Sequence, residues 1–141
     1  MILYLDTSVI VTALTQEAET RRTIDWLEAQ AVERLAISRW VTTEFSAALS
    51  IKVRAGRLSL NERAACLAKY GGSIARSFAM LPVMEAHFTA AARLADQAAL
   101  GLRAGDALHL AIASGSGATV VTRDRRMAEA AIAAGMGSVL V

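Results

Sequence analysis

Four acidic residues stand where the chain could bring carboxylates together: Asp6, Glu44, Asp106 and Asp124. Asp6 directly follows a short apolar run at residues 2–5, and Asp124 comes just after a second apolar run at 118–122. Both runs have the length and composition of buried parallel strands. Because ligands of such sheets bind beyond the carboxyl ends of the strands, we expect Asp6 and Asp124 to lie at that edge.

The other two acids are predicted to lie on helices. At spacings of three and four, Glu44 shares a stripe with apolar residues of a helix at 39–55, where an unpaired carboxylate costs free energy. Asp106 begins a strongly apolar helix at 107–113. Each acid alone has an ordinary explanation, since Asp is a common N-cap and Glu44 could meet an arginine in an ion pair. Together they would repel one another, and a divalent cation such as Mg²⁺ or Mn²⁺ would relieve that repulsion.

The elements that must position these acids alternate between short strands and helices. Strands are predicted at 2–5, 35–37, 78–83, 118–122 and 139–141. Helices are predicted at 9–14, 18–31, 39–55, 60–70, 85–99, 107–113 and 125–134. This alternation predicts one α/β domain over residues 1–141, with a mostly parallel sheet of four or five strands and helices on both faces.

Several residues should mark where these elements end. Thr7 and Ser8 offer N-cap hydroxyls to the first helix, and Ser59 with Glu62 forms a capping-box pattern before the fourth. The Gly71-Gly72 pair should weaken or stop that fourth helix. Pro82 places the third strand at an edge or at its own end.

Composition excludes several classes of protein. Of the 141 residues, 55% are hydrophobic, which excludes a mainly disordered chain, and no apolar run is long enough to cross a membrane. The single cysteine, Cys66, excludes a disulfide framework and a multi-cysteine zinc site, and it is expected to be a buried apolar residue. The first residues lack the pattern of a signal peptide, so a cytoplasmic protein is expected.

The sequence around the acids contains four motifs in a fixed order. They are Asp6-Thr7-Ser8, Thr43-Glu44-Phe45-Ser46-Ala47-Ala48-Leu49, Gly105-Asp106-Ala107-Leu108-His109-Leu110-Ala111 and Val120-Val121-Thr122-Arg123-Asp124. By these motifs the chain resembles PIN-domain ribonucleases, and by its small size it resembles the VapC-type toxins of toxin–antitoxin pairs. The resemblance covers essentially the whole chain.

The resemblance implies a Mg²⁺- or Mn²⁺-dependent endoribonuclease that cuts single-stranded or looped RNA and leaves a 5′-phosphate and a 3′-hydroxyl. It maps the catalytic acids onto Asp6, Glu44, Asp106 and Asp124, with Asp6 and Asp106 as the direct metal ligands. Ser8 and Thr122 match hydroxyl positions beside the site. The resemblance also implies a small antitoxin protein and a homodimer as partners.

Arginine accounts for most of the positive charge of the chain. The net charge is +2, from 15 basic and 13 acidic residues, and setting the four candidate acids aside leaves nine acids against the fifteen bases. Arg123, Arg125 and Arg126 adjoin Asp124 and are candidate phosphate contacts, although each could be ordinary solvated charge. Further candidates are Arg39, Arg54, Arg57 and Arg103.

Two other groups of side chains admit more than one interpretation. His109 lies three residues after Asp106, where it could contact substrate or shuttle a proton, but a hydrogen-bonded helix histidine is the simpler interpretation. His87 has less claim to a role. An apolar groove for an antitoxin could be lined by Trp26, Leu27, Trp40 and Phe45, which could equally belong to the core.

Other folds that gather acids or bind nucleotides fit less well. A receiver domain needs a lysine after a late strand, and a haloacid-dehalogenase phosphatase needs Asp-x-Asp where this chain has Asp6-Thr7-Ser8. No glycine-rich turn for a dinucleotide follows the first strand. A PIN-like fold that binds RNA or protein without catalysis remains the alternative.

Overall fold

The computed structural model describes residues 1–141, and five parallel strands form its single sheet. The strands are β1 (Leu3–Leu5), β2 (Leu35–Ser38), β3 (Ala79–Leu81), β4 (Thr119–Thr122) and β5 (Ser138–Leu140). Their order across the sheet is β3-β2-β1-β4-β5, and every neighbouring pair is parallel. The predicted α/β class and parallel sheet are confirmed, with five strands.

Helices fill the connections between the strands. They are α1 (Thr7–Leu14), α2 (Thr20–Glu28), α3 (Arg39–Arg54), α4 (Leu60–Lys69), α5 (Ala75–Ser77), α6 (Glu85–Ala95), α7 (Ala104–Gly115) and α8 (Arg125–Ala133). Helix α1 packs on α2 and α3, and α6 packs on α7. No helix is both long and apolar enough to span a membrane.

The strand order reverses direction at β1, the central strand. From β1 the chain moves outward through β2 to β3, and it then returns to the other side of β1 to add β4 and β5. Because crossovers between parallel strands are right-handed, this reversal puts the helices before and after β3 on opposite faces of the sheet. The carboxyl ends of β1 and β4 therefore border the crevice where such folds bind ligands.

The central strands and the helices packed on them are apolar because they form the core of the domain. Every residue of β1 and β2 is buried, as expected for parallel strands covered on both faces. Helix α7 buries seven consecutive residues, from Ala107 to Ala113. Phe45 of α3 stacks on Tyr70 with ring centroids 4.8 Å apart, which ties α3 to the end of α4.

Two local predictions need correction. The N-cap of α1 is Asp6, since its carboxylate accepts from the Val9 N–H, and neither Thr7 nor Ser8 has that role. Helix α7 begins at Ala104, so Asp106 lies inside its first turn. The prediction that Gly71 and Gly72 weaken or stop the fourth helix is confirmed, since α4 ends at Lys69 and the glycines lie in a π-helical turn, Tyr70–Ile74, that continues the helical path.

Burial explains the continuation past the glycines. Tyr70 and Ile74, at the two ends of the π-helical turn, are both buried in the core. The Tyr70 hydroxyl also hydrogen-bonds the Thr42 hydroxyl at 2.7 Å. These contacts outweigh the cost of a glycine in a helix, which is about 1 kcal/mol. The inference from Pro82 is confirmed, since it directly follows β3, an edge strand of the sheet.

Candidate active site

Asp6 is the most deeply buried of the four acids, with 5% of its surface exposed at the end of β1. Its Oδ1 accepts from the Ser8 hydroxyl at 2.5 Å and from the Val9 N–H at 3.3 Å. Its Oδ2 accepts from the Thr122 hydroxyl at 2.7 Å. Burial raises the pKa of Asp6, although the charge of His109 and these hydrogen bonds act in the opposite direction. The carboxylate is thus fixed in orientation on both oxygens.

The hydroxyls of Ser8 and Thr122 connect the end of β1 to the end of β4. Besides donating to Asp6, the Ser8 oxygen accepts from the Arg123 N–H at 3.0 Å. The Thr122 oxygen accepts from the Asp124 N–H at 2.9 Å. Both residues predicted to stand beside the site therefore contact Asp6 directly and hold the loop after β4 against it.

Glu44 pairs with a histidine, and the arginine partner considered from the sequence is absent. It lies half-buried on α3, and its Oε1 accepts from the Thr7 hydroxyl at 2.7 Å and contacts His109 Nε2. Burial, the largest influence, would raise the pKa of Glu44, but the hydrogen bonds and charge of His109 and the Thr7 bond lower it overall. Glu44 is therefore held as a carboxylate.

Asp106 lies half-buried in the first turn of α7. Burial is the main cause that raises its pKa, and the neighbouring carboxylates of Asp124 and Asp6 add to that rise, while the Arg103 backbone and His109 oppose it. The two aspartates at the ends of β1 and β4 are thus close enough to Asp106 for like-charge repulsion to act on it. This arrangement unites the carboxylates from three separate motifs.

Asp124 is exposed and caps α8. Its Oδ1 accepts from the backbone N–H groups of Arg126 at 2.8 Å and Met127 at 3.3 Å. The N-cap role considered for Asp124 from the sequence is therefore observed. Only its Oδ2 is left without a protein partner. No three His, Cys, Asp or Glu side chains are arranged closely enough to hold a metal ion as they stand.

The three arginines beside Asp124 have different environments. The Arg123 guanidinium donates to the Thr23 hydroxyl at 3.1 Å and reaches the Val141 carbonyl at 3.5 Å, so it holds α2 and the last residue of the chain. Arg125 and Arg126 are exposed in the first turn of α8. Only the latter two present free guanidinium groups beside the acids.

Four residues of the site escaped the sequence reasoning. Thr7 donates to Glu44, and its place in the motif with Asp6 was the one signal that could have shown it. Tyr4 and Ser38 form a buried hydrogen-bond chain that reaches His109. A Cβ at Gly105 would lie 2.8 Å from Glu44 Oε2, so the absence of a side chain there makes room for this carboxylate. Gly105 opens the motif that contains Asp106, whereas no local pattern marks Tyr4 or Ser38.

The sequence matches the PIN domain family over residues 3–133, which is nearly the whole chain. The chain belongs to the PIN-domain family. No curated protein sequence gives a match.

Solved structures with this PIN fold extend over essentially the same length. FitAcB from Neisseria gonorrhoeae superposes with a TM-score of 0.72 at 21% identity, covering 97% of this chain and 96% of that one. VapC20 from Mycobacterium tuberculosis, a sarcin-ricin loop cleaving toxin, gives a TM-score of 0.73 at 17% identity over 99% of both chains. VapBC-5 from the same organism, a member of the VapBC family of toxin–antitoxin systems, gives 0.63 at 25% identity over 100% of both chains.

In this PIN domain, the acids lie where the strand order reverses. Asp6 and Asp124 follow the two strands that border the crevice, and Asp106 comes from the helix that leads into β4. Helix α3 follows β2, which lies on the other side of β1 from β4, and it brings Glu44 to the same region. The fold therefore collects four residues spread over more than a hundred positions of sequence.

Proposed function

We propose that this PIN-domain protein is a divalent-metal-dependent endoribonuclease and the toxin of a toxin–antitoxin pair. The observation that carries the proposal is the cluster of carboxylates at the β1–β4 crevice. There the charges of Asp6 and Asp124 both raise the pKa of Asp106. Repulsion between buried or half-buried carboxylates is unfavourable unless it is offset. A divalent cation would offset it, and the bound cation would also attract a phosphodiester substrate to the site.

The residues present suit Mg²⁺ or Mn²⁺. All the candidate ligands are carboxylate oxygens, which these hard cations prefer. Asp6 and Asp106 would hold the metal, and Glu44 and Asp124 would complete its surroundings directly or through water. A bound divalent cation would lower the pKa of a water molecule and polarise the scissile phosphate.

The chain's own groups fix the orientation of that site. Ser8 and Thr122 hold the two oxygens of Asp6, which limits the directions in which its remaining lone pairs point. Thr7 and His109 hold Oε1 of Glu44 and leave Oε2 free beside the first turn of α7. Carboxylates that are oriented before the reaction need little reorganisation during it.

The reaction that fits this site is hydrolysis by in-line attack. The oxygen of water loses a proton and forms a bond to phosphorus, the bond from phosphorus to the 3′-oxygen breaks, and the 3′-oxygen takes a proton from solvent. The products are a 5′-phosphate and a 3′-hydroxyl. No side chain needs to act as the nucleophile, and products with a 2′,3′-cyclic phosphate would contradict this chemistry.

RNA would approach over α8. Arg125 and Arg126 are exposed beside Asp124, and they are better placed for phosphate contacts than Arg123, which is bound to Thr23 and Val141. Only a few aromatic side chains exist, and base stacking is therefore a minor source of affinity. A single-stranded or looped substrate fits a site that must reach the backbone of one strand.

The toxin assignment draws on the similar structures. VapC20 is a sarcin-ricin loop cleaving toxin of this fold, and VapBC-5 belongs to the VapBC family of toxin–antitoxin systems. For this chain we infer a small antitoxin partner, a homodimer and a cytoplasmic location. Trp26, Leu27 and Trp40 are partly buried and can still contribute to an antitoxin groove, whereas Phe45 is wholly buried in the core. Light scattering that gives a monomer at high concentration would contradict the dimer.

The test compares three proteins on a pool of structured RNAs with Mg²⁺, Mn²⁺ or EDTA. These are the wild type, Asp6→Asn and Asp96→Asn, the last being an exposed aspartate at the end of α6. Sequencing of new 5′-phosphate ends should show cuts in the presence of metal for the wild type and Asp96→Asn, and none for Asp6→Asn. Calorimetry with Mn²⁺ alone should show weaker binding only in Asp6→Asn.

The alternative function is a PIN-like module that binds RNA or protein without cutting. The absence of a preformed three-ligand metal cluster is the observation in its favour. Equal Mn²⁺ binding by the wild type and Asp6→Asn, together with no metal-dependent cuts, would support this alternative and overturn the nuclease proposal.

A further inference from the structure

A buried chain of hydrogen bonds leads from the core of the molecule to Glu44. His109, with 2% of its surface exposed, uses Nε2 to contact Glu44 and Nδ1 to meet the Tyr4 hydroxyl at 2.9 Å. The Tyr4 hydroxyl also meets the Ser38 hydroxyl at 2.8 Å. Tyr4 and Ser38 are fully buried. The chain of hydrogen bonds thus runs from Ser38 on β2 through Tyr4 on β1 and His109 on α7 to Glu44 on α3.

The partners of His109 hold its ring from both sides. The Glu44 carboxylate can only accept a hydrogen bond, so His109 Nε2 must donate to it. On the other side of the ring, Nδ1 meets the Tyr4 hydroxyl, which in turn meets the Ser38 hydroxyl. Tyr4 therefore fixes the direction in which Nε2 points.

The same hydrogen bonds determine which oxygen of Glu44 is left free. Both hydrogen bonds to this carboxylate, from Thr7 and His109, fall on Oε1. Oε2 lies against Gly105, at 2.8 Å from the position where a Cβ would stand, and Gly105 directly precedes Asp106. Loss of the donor at Oε1 would let the side chain rotate and would remove Oε2 from its place beside Gly105.

We propose that Tyr4 and His109 are positioning residues of the active site: Tyr4 holds the imidazole ring in place, and the ring fixes the orientation of Glu44. This inference rests on the proposed nuclease function for its consequence, but the hydrogen-bond arrangement can be tested without catalysis. Neither residue touches the substrate in this account. Both act through the carboxylate of Glu44.

The first test uses the metal-free protein and ¹⁵N NMR of its imidazole rings. The chain has only two histidines, so a His87→Gln variant assigns the signals. We expect His109 Nε2 to carry hydrogen in the wild type, and we expect Tyr4→Phe to shift the Nδ1 signal. A protonated Nδ1 paired with an unprotonated Nε2, or no change of the signal in Tyr4→Phe, would overturn the proposal even if no RNA is ever cut.

The second test compares His109→Gln with His109→Asn. The longer amide can place its nitrogen near the position of Nε2 and donate to Glu44, whereas the shorter one cannot reach. Both remove the buried ring, so a merely structural role predicts similar effects. We expect kcat to fall by on the order of tenfold to a hundredfold in His109→Asn and in Tyr4→Phe, with a smaller fall in His109→Gln. Mn²⁺ affinity without RNA should rank His109→Gln above His109→Asn.

The outcomes separate this inference from the proposed function. Wild-type protein that neither binds Mn²⁺ nor cuts RNA would contradict the nuclease, while the NMR result would still decide the hydrogen-bond arrangement. Wild-type cleavage with equal kcat and Mn²⁺ affinity in both His109 variants would retain the nuclease and overturn the positioning role. The His87→Gln variant serves as the control that should cut like the wild type.

Discussion

The Thr122 hydroxyl, at the end of β4, donates a 2.7 Å hydrogen bond to the carboxylate of Asp6 at the end of β1. The same oxygen accepts from the Asp124 N–H at 2.9 Å. One side chain thus holds two of the candidate acids in a fixed relation across the crevice. Because Asp6 is buried, no water molecule can replace the Thr122 hydroxyl as the donor to its carboxylate.

Replacement of Thr122 by valine should weaken both folding and cleavage. Valine keeps the shape but removes the hydroxyl, and a buried acceptor left without a donor costs about 1–3 kcal/mol. We expect the free energy of unfolding to fall by that amount in urea titrations, with a loss of cleavage. Thr122→Ser keeps the hydroxyl and serves as the matched variant. Equal stability of the wild type and Thr122→Val would show that this hydrogen bond is unimportant.

Gly105→Ala should damage the site while leaving the fold intact. The new methyl group would meet Glu44 Oε2 at 2.8 Å, and the flexible carboxylate would move aside. Alanine is more favourable than glycine in a helix by about 1 kcal/mol, so thermal stability should not fall.

Cleavage by Gly105→Ala should fall on the order of tenfold or more because the oriented carboxylate is displaced. The comparison variant is Gly71→Ala, since a Cβ there meets no atom within 4 Å. Single-turnover rates and melting curves of both variants test this expectation. A Gly105→Ala protein as active as Gly71→Ala would rule out any need for the present position of Glu44.

The arginines beside Asp124 should separate into one structural residue and two that bind RNA. Arg123→Ala loses the hydrogen bonds to Thr23 and Val141 and should lower the free energy of unfolding by about 1–2 kcal/mol. Arg125→Ala and Arg126→Ala should leave stability unchanged and weaken RNA binding.

Salt titrations of RNA affinity measure the second effect. Each phosphate contact removed should reduce the slope of log affinity against log salt by about 1. An unchanged slope in the Arg125→Ala, Arg126→Ala double variant would show that these side chains are ordinary solvated charge.

Glu17 should make stability depend on pH in the acid range. Its carboxylate accepts from Thr12 at 2.9 Å and pairs with Lys52 at 2.8 Å, which joins the segment after α1 to α3. Burial would raise the pKa of Glu17, but these hydrogen bonds and the charge of Lys52 lower it overall, below the ordinary value of 4.5.

A lowered pKa in the folded state means that the stabilisation is complete above pH 4.5 and is lost as the pH falls through the folded pKa. The difference in unfolding free energy between the wild type and Glu17→Gln should therefore be constant near neutral pH and shrink below pH 4.5. Chemical denaturation at a series of pH values measures it. A difference that grows towards acid pH would contradict the assignment.

Much of the fold was determined by local patterns in the sequence. Runs such as 2–5 and 118–122 are mainly apolar because parallel strands are covered on both faces, and this pattern does not depend on distant residues. The order of the four motifs likewise indicated the PIN domain. The capping box at Ser59 and Glu62 was predicted and is present, because a cap involves only neighbours in sequence.

The tertiary structure alone decided the partners of the site residues. Glu44 and His109 are 65 positions apart, and Tyr4 and His109 are 105 apart, so no local pattern could pair them. Gly71 and Gly72 lie where α4 gives way to a π-helical turn, and the helical path continues past them because Tyr70 and Ile74 are buried in the core. Periodicity fixes which face of an element is buried. Which side chain meets which depends on how helices pack across the sheet, and that is settled only when the whole core is assembled.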